Sequence, residues 1–214
     1  MSLQSEIDEM KQQSAAKASQ QVRETMMQAT LDLKKKNIEN DALSAGDMAI
    51  DFTLPNAQGK DINLKDELVK GPVVLNIYRG GWCPYCNLEL KALKESLSEI
   101  EATGAQLIAV APQLPDKTVD TVEKHQLEIE VLSDVGNKIS RQYGLVFTLA
   151  ESLRAIYDSF GIDIPEYNGD DSFELPVPAT YVINKNGEIA YAFVDADYTK
   201  RMEPAEIVKI LNQL

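Results

Sequence analysis

Only two cysteines occur in this 214-residue chain, and both lie in Trp82-Cys83-Pro84-Tyr85-Cys86. An apolar run, Val73-Val74-Leu75-Asn76-Ile77-Tyr78, precedes them, and a helical pattern, Leu88, Leu90, Leu93, Leu97 and Ile100, follows. That order is strand, tight turn, helix, with the first cysteine at the mouth of the helix. Unpaired backbone N–H groups and the positive end of the helix dipole favour a thiolate there, and the thiolate is the reactive form of cysteine. Pro84 falls just inside the helix, where its missing N–H costs nothing. Cys83 is therefore the expected nucleophile, with a pKa in the range ~3.5–7.5 typical of such positions, against ~8.5 unperturbed. Cys86, one turn deeper, is the expected resolving cysteine, able to close a disulfide on an oxidised Cys83. The plain alternative is two incidental buried cysteines. No metal is expected: structural zinc needs four ligands, and beyond the cysteines there is only His125, which reads as an ordinary helix-face residue.

The elements that must hold this motif can be read around it. From Leu3 to about Lys36, apolar residues recur every three or four positions with no proline or glycine between, which predicts one long amphipathic helix. Residues 1–45 are read as a helical extension and 46–214 as the main domain. Ala49–Leu54 and Asp61–Leu64 alternate around a turn and predict a short hairpin. Strands are expected at 73–78, 106–111 and 129–132, with helices after the cysteines and near 116–126 and 138–143. Strand–helix–strand units of this kind imply parallel pairing. A helix over 149–160 carries Leu153, Ile156, Tyr157 and Phe160 on one face. Gly161–Pro178 shows little pattern and is expected to be a loop, either a lid over the site or a surface insertion. Two strands flank the Asn184-Lys185-Asn186-Gly187 turn, and Pro204 opens a last helix. The class is α/β, a mixed central sheet flanked by helices.

Composition narrows the partners. The formal charge is −13, nearly all of it after residue 45, so nucleic acid is not an expected partner. No apolar run is long enough to span a membrane. The first residues lack a basic stretch followed by an apolar one, and two closely spaced cysteines read as redox chemistry, so a cytoplasmic setting is expected.

Beyond the motif, Asp51-Phe52-Thr53-Leu54-Pro55, Arg79-Gly80-Gly81-Trp82-Cys83, Leu132-Ser133-Asp134 and Val177-Pro178-Ala179-Thr180-Tyr181 resemble the peroxiredoxin-like branch of the alkyl hydroperoxide reductase/thiol-specific antioxidant family, within the thioredoxin-like superfamily. The resemblance covers about residues 46 to 214. It implies a thioredoxin-like fold, a hydroperoxide substrate, a dithiol electron donor such as thioredoxin, and no cofactor beyond a Cys83–Cys86 disulfide. It also implies a cis-proline at Pro178, with Val177 facing the cysteines. Typical members carry Pro-x-x-x-Thr-x-x-Cys, and the proline and threonine positions are Asn76 and Gly80 here. The arginine that typical members place just before the late strand is replaced by Pro178. Arg79 is the candidate to supply that charge, with Arg141 and Arg154 as more distant ones. Trp82 and Tyr85 read as walls of the site or as core. Glu89 and Asp134 read as solvated acids.

Three functions fit these residues. The first is a thiol peroxidase, and the second is a protein disulfide reductase using the same Cys-Pro-Tyr-Cys. The third is a redox-sensing interaction protein that binds a partner through its N-terminal helix. A homodimer through that helix is one arrangement; packing of the helix on its own domain is the other.

Overall fold

The computed structural model describes residues 2–214; Met1, the first residue of the anticipated extension, lies outside them. The N-terminal stretch is two helices rather than one, α1 (Leu3–Lys17) and α2 (Gln20–Lys35). The break is local chemistry. Ala18 is extended, and the Ser19 hydroxyl accepts a hydrogen bond from the Val22 N–H, capping the second helix. Serine gains more at such a cap than inside a helix. α1 sinks Leu3 and Ile7 into the core, whereas α2 buries no residue fully.

After a short α3 (Ile38–Asp41) comes the expected hairpin, β1 (Thr53–Pro55) with β2 (Asp61–Asn63), Leu54 opposite Ile62. The chain continues through α4 (Leu64–Lys70) and β3 (Val73–Ile77). The cysteine helix ends early, giving α5 (Pro84–Glu95) and α6 (Leu97–Ala102), parted at Ser96. Next come β4 (Gln106–Ala111), α7 (Pro115–His125), β5 (Glu130–Ser133), α8 (Lys138–Gln142), β6 (Val146–Thr148) and α9 (Glu151–Ser159).

The stretch expected as an eighteen-residue loop is structured. It holds α10 (Ile164–Asn168) and β7 (Glu174–Pro176), which pairs antiparallel with β6. The Asp163 carboxylate caps α10, and Pro165 occupies its first turn. Leu175 of β7 and Ile164 of α10 join Leu149, Leu153 and Tyr157 in a small third core. A segment pinned by a strand pair and buried side chains is not an unattached lid.

β8 (Ala179–Ile183), β9 (Ile189–Val194) and α11 (Pro204–Leu211) complete the chain. The main sheet runs β5-β4-β3-β8-β9, with β3, β4 and β5 parallel to one another and β8 antiparallel to both of its neighbours, β3 and β9. β3 is central and buried throughout. Its alternation builds two cores. Val74 and Tyr78 face α1, α5 and α11 with Leu90, Leu93, Val182 and Ile207; Val73, Leu75 and Ile77 face Ile108, Val110, Tyr143 and Tyr181. The consequence for function is that the end of β3, where the cysteine turn begins, is fixed from both sides.

Candidate active site

The turn after β3 is tied down residue by residue. The Tyr78 N–H donates to the Val110 carbonyl (2.9 Å), extending the sheet one residue beyond β3. The Cys83 N–H then donates to the Gly80 carbonyl (3.0 Å), closing the turn. Gly80 has φ +141°, and a Cβ there would lie 2.6 Å from Trp82 Nε1. At Gly81 a Cβ would lie 2.2 Å from Thr121 Oγ1. Both positions therefore demand glycine. The Gly81 N–H donates to Gln113 Oε1 (2.7 Å), and Asn87 Nδ2 donates to the Gly81 carbonyl (2.9 Å). Gln113 is fully buried, and its amide nitrogen lies within 3.2 Å of the Tyr78, Thr118 and Thr121 hydroxyls. Residue type alone gave no sign of Gln113.

Cys83 is the N-cap residue of α5, with Pro84 in the first turn and exposed at the surface. Both thiols are unbonded and buried. Burial alone would raise the pKa of Cys83. The Cys86 thiol, the Arg79 and Arg201 guanidinium groups and the Cys86 backbone N–H outweigh it and bring Cys83 down to about 6. Cys86 goes the other way: burial, the hydrogen bond it gives to Cys83 and the charge on Cys83 hold its proton on. One sulfur is thus prepared as an anion and its neighbour as the donor to that anion.

Arg79 is 2% exposed and, among the described residues, has no carboxylate partner. Its Nη2 donates to the Tyr157 hydroxyl (2.6 Å), and its Nε has no partner. Its guanidinium lies 4.8 Å from the Trp82 ring, 4.5 Å from Tyr198 and 5.6 Å from Tyr157. An uncompensated buried cation is costly unless an anion joins it, and the Cys83 thiolate is the anion beside it. The other two candidate arginines are engaged elsewhere: Arg141 pairs with Glu174, and Arg154 covers the Phe173 ring at 4.1 Å.

Val177 and Pro178 line a cleft of about 670 Å³ together with Arg79, Tyr157, Tyr198 and Phe147, and α2 forms its far wall. The expected cis bond before Pro178 is absent; among the described residues every peptide is trans. The Val177 N–H donates to the Leu145 carbonyl (2.8 Å), which ties the residue before Pro178 to the start of β6. Trp82 packs edge-on against Tyr157 (5.8 Å) and bridges two of the cores. Tyr85 turns toward α1, in the core with Leu3 and Ile7, its ring against Tyr198 at 5.7 Å.

Two acids expected in solvent are buried. Asp134 accepts from the Ile139 and Ser140 N–H groups and the Ser140 hydroxyl, capping α8. Glu89 is 2% exposed and accepts from Arg201 Nε (2.6 Å). Burial pushes Glu89 up to about 7 despite that arginine. Arg201 Nη2 donates to Cys86 Sγ (3.2 Å). Neither Arg201 nor Tyr198 stood out in the sequence. Glu89 offered one signal, since it lies three residues after Cys86 and four before Leu93, on the apolar side of α5.

A dithiol at a helix start, at the end of the middle strand of a mixed sheet, defines a thioredoxin-fold thiol protein. The profile of the AhpC/TSA family matches residues 45–192, and the chain belongs to that family. Similar relatives include peroxiredoxin Q, chloroplastic, of Gentiana triflora, 29% identical over 69% of this chain and 57% of the relative. Another is peroxiredoxin Bcp of Escherichia coli, 29% identical over 48% of this chain and 65% of the relative. The chain thus spans well under the full length of these relatives. Among solved structures, peroxidoxin BcpB from Mycobacterium tuberculosis superposes with TM-score 0.63 at 19% identity, over 80% of this chain and 98% of that one. A thiol:disulfide interchange protein DsbE from Chlorobium tepidum gives TM-score 0.55 at 19% identity, over 79% and 99%. At such identities the likeness is one of fold.

Proposed function

We propose that the protein is a thiol peroxidase of the peroxiredoxin kind. The Cys83 thiolate attacks the terminal oxygen of a hydroperoxide; the S–O bond forms, the O–O bond breaks, and the other oxygen leaves as water or alcohol after taking a proton. Cys86 then attacks the sulfenic sulfur, closes the Cys83–Cys86 disulfide and releases water. A dithiol donor such as thioredoxin exchanges with that disulfide and returns both thiols. The observation that carries this reading is the opposite tuning of the two cysteines beside Arg79, a buried cation with no carboxylate. Arg79 replaces the charge that typical family members place before the late strand, and its open Nε is a donor for a peroxide oxygen. The reading requires no metal or organic cofactor, and a reducing compartment such as the cytoplasm suits two thiols that must start reduced.

A second reading, protein disulfide reductase, is favoured by one observation: both cysteines lie at one helix start, with no threonine at the family's peroxide-positioning place. The interaction-protein reading is weakened by α1, whose apolar residues are already spent on the core. Residues 1–45 remain proposed as an extension, and a homodimer through α2 as its assembly, to be checked by solution mass with and without that segment.

The deciding experiment is peroxide consumption by the reduced wild type, Cys83→Ser and Cys86→Ser, with thiols counted afterwards. The peroxidase reading expects Cys83→Ser to be inert and Cys86→Ser to complete one turnover. If peroxide reacts no faster than with a free thiol while disulfides are reduced, the second reading holds.

A further inference from the structure

Arg201, in the loop between β9 and α11, uses every nitrogen of its guanidinium. Nε donates to Glu89 Oε2 (2.6 Å), Nη1 to the Tyr198 and Lys200 carbonyls, and Nη2 to Cys86 Sγ (3.2 Å). Glu89 is on α5, one turn beyond Cys86, so carboxylate, guanidinium and sulfur form a line behind the resolving thiol. All three residues are buried. A buried ion pair of this kind contributes little net stability over an apolar pair. Its placement on a sulfur atom calls for a different reason.

Arginine can donate a hydrogen bond but never accept one, and its contact with sulfur gains most when the sulfur is an anion. In the reduced protein that gain is blocked, because burial, and with it the hydrogen bond to Cys83 and the charge on Cys83, keeps Cys86 protonated. After Cys83 has reacted it carries a neutral –SOH; the opposing charge is gone, burial remains, and Arg201 is the cation in hydrogen-bond contact with the Cys86 sulfur to offset it.

We propose that Arg201, positioned by Glu89, stabilises the Cys86 thiolate once Cys83 is oxidised, and so governs disulfide closure more than the attack on peroxide. In that step Cys86 loses its proton, its sulfur attacks the sulfur of Cys83–SOH, the S–S bond forms and the S–O bond breaks. Hydroxide leaves and takes up the proton as water; the Cys83 sulfur is reduced and the Cys86 sulfur oxidised. The groups facing Cys86 are Cys83, Glu89 and Arg201, with Tyr78 and Arg79 from the end of β3. This inference rests on the peroxidase reading.

The test is stopped-flow oxidation of reduced protein by hydrogen peroxide, followed by the fluorescence of Trp82, the one tryptophan, with dimedone trapping of sulfenic acid on Cys83. In Arg201→Met the peroxide step is expected to slow by a clearly smaller factor than closure, because Arg201 also helps to lower Cys83, though less than Arg79 does. Closure at pH 7 should slow by about tenfold or more, with its pH profile displaced upward and trapped sulfenate accumulating. Arg201→Lys should recover part of the rate. If removing one charge prevents folding, the double variant Glu89→Gln/Arg201→Met removes both and expects the same slow closure. Closure at the wild-type rate and pH profile in a folded Arg201 variant would overturn the proposal. Wild type that forms no Cys83–Cys86 disulfide after peroxide would instead overturn the peroxidase reading on which it depends.

Discussion

Two arginines serve two sulfurs one helical turn apart, and they do so in opposite states. Arg79 is buried among Trp82, Tyr157 and Tyr198 without a carboxylate. Arg201 is equally buried but fully paired with Glu89 and backbone carbonyls. The difference teaches how one motif yields two roles. An unpaired cation at the cleft lowers Cys83 and leaves a donor for an incoming oxygen. A compensated cation behind Cys86 adds a smaller pull on Cys83 and gains most when charge develops on the Cys86 sulfur. On the proposed peroxidase reading the Arg79 side serves attack on substrate and the Arg201 side the closing of the cycle.

The largest expected effect separates the two arginines by activity. Arg79→Met should lower the second-order rate with peroxide by about 10²–10³, the usual loss for a preorganised electrostatic group. A loss of less than about threefold in stopped-flow would show that Arg79 is not the substrate's partner. Stability should separate them the other way. Arg201→Met strands Glu89 and is expected to cost about 3 kcal/mol or more in denaturant unfolding, whereas Arg79→Met strands no carboxylate, only a Cys83 sulfur that can take up a proton, and should cost less. Equal losses would erase the contrast. Gln113→Leu probes the support of the Cys83 side alone. It leaves the Gly81 N–H and the Tyr78 and Thr121 hydroxyls without their amide, for an expected loss of about 1–3 kcal/mol, with the Arg201–Glu89 pair intact. Arg141→Gln is the smallest change. Its exposed pair with Glu174 should contribute less than about 1 kcal/mol, and peroxide turnover should be unaffected.

What the sequence disclosed follows from what leaves a periodic trace. β3, α5 and the dithiol between them were legible because a strand apolar at all but Asn76, a helical stripe and a proline at the first turn coincide over residues 73–100. The break at Ser19 was not, since a lone serine interrupts no apolar stripe; only its cap hydrogen bond reveals it. β7 and α10 are too short for periodicity, and both contain proline. The Glu89–Arg201 pair joins residues 112 positions apart, so no local pattern announces it. Tyr157 was visible as an apolar helix face but not as the hydroxyl that meets Arg79. The site was thus legible where it is local and hidden where it is assembled by the fold.

The central claim is the split between the two thiols, and site-resolved alkylation of the reduced protein across pH tests it most directly. With iodoacetamide at limiting extent and peptide mass spectrometry, Cys83 should reach half its maximal labelling rate near pH 6. Cys86 should stay unlabelled until well above the ordinary thiol value of about 8.5. Labelling of both cysteines together near that ordinary value, or of Cys86 first, would contradict the account.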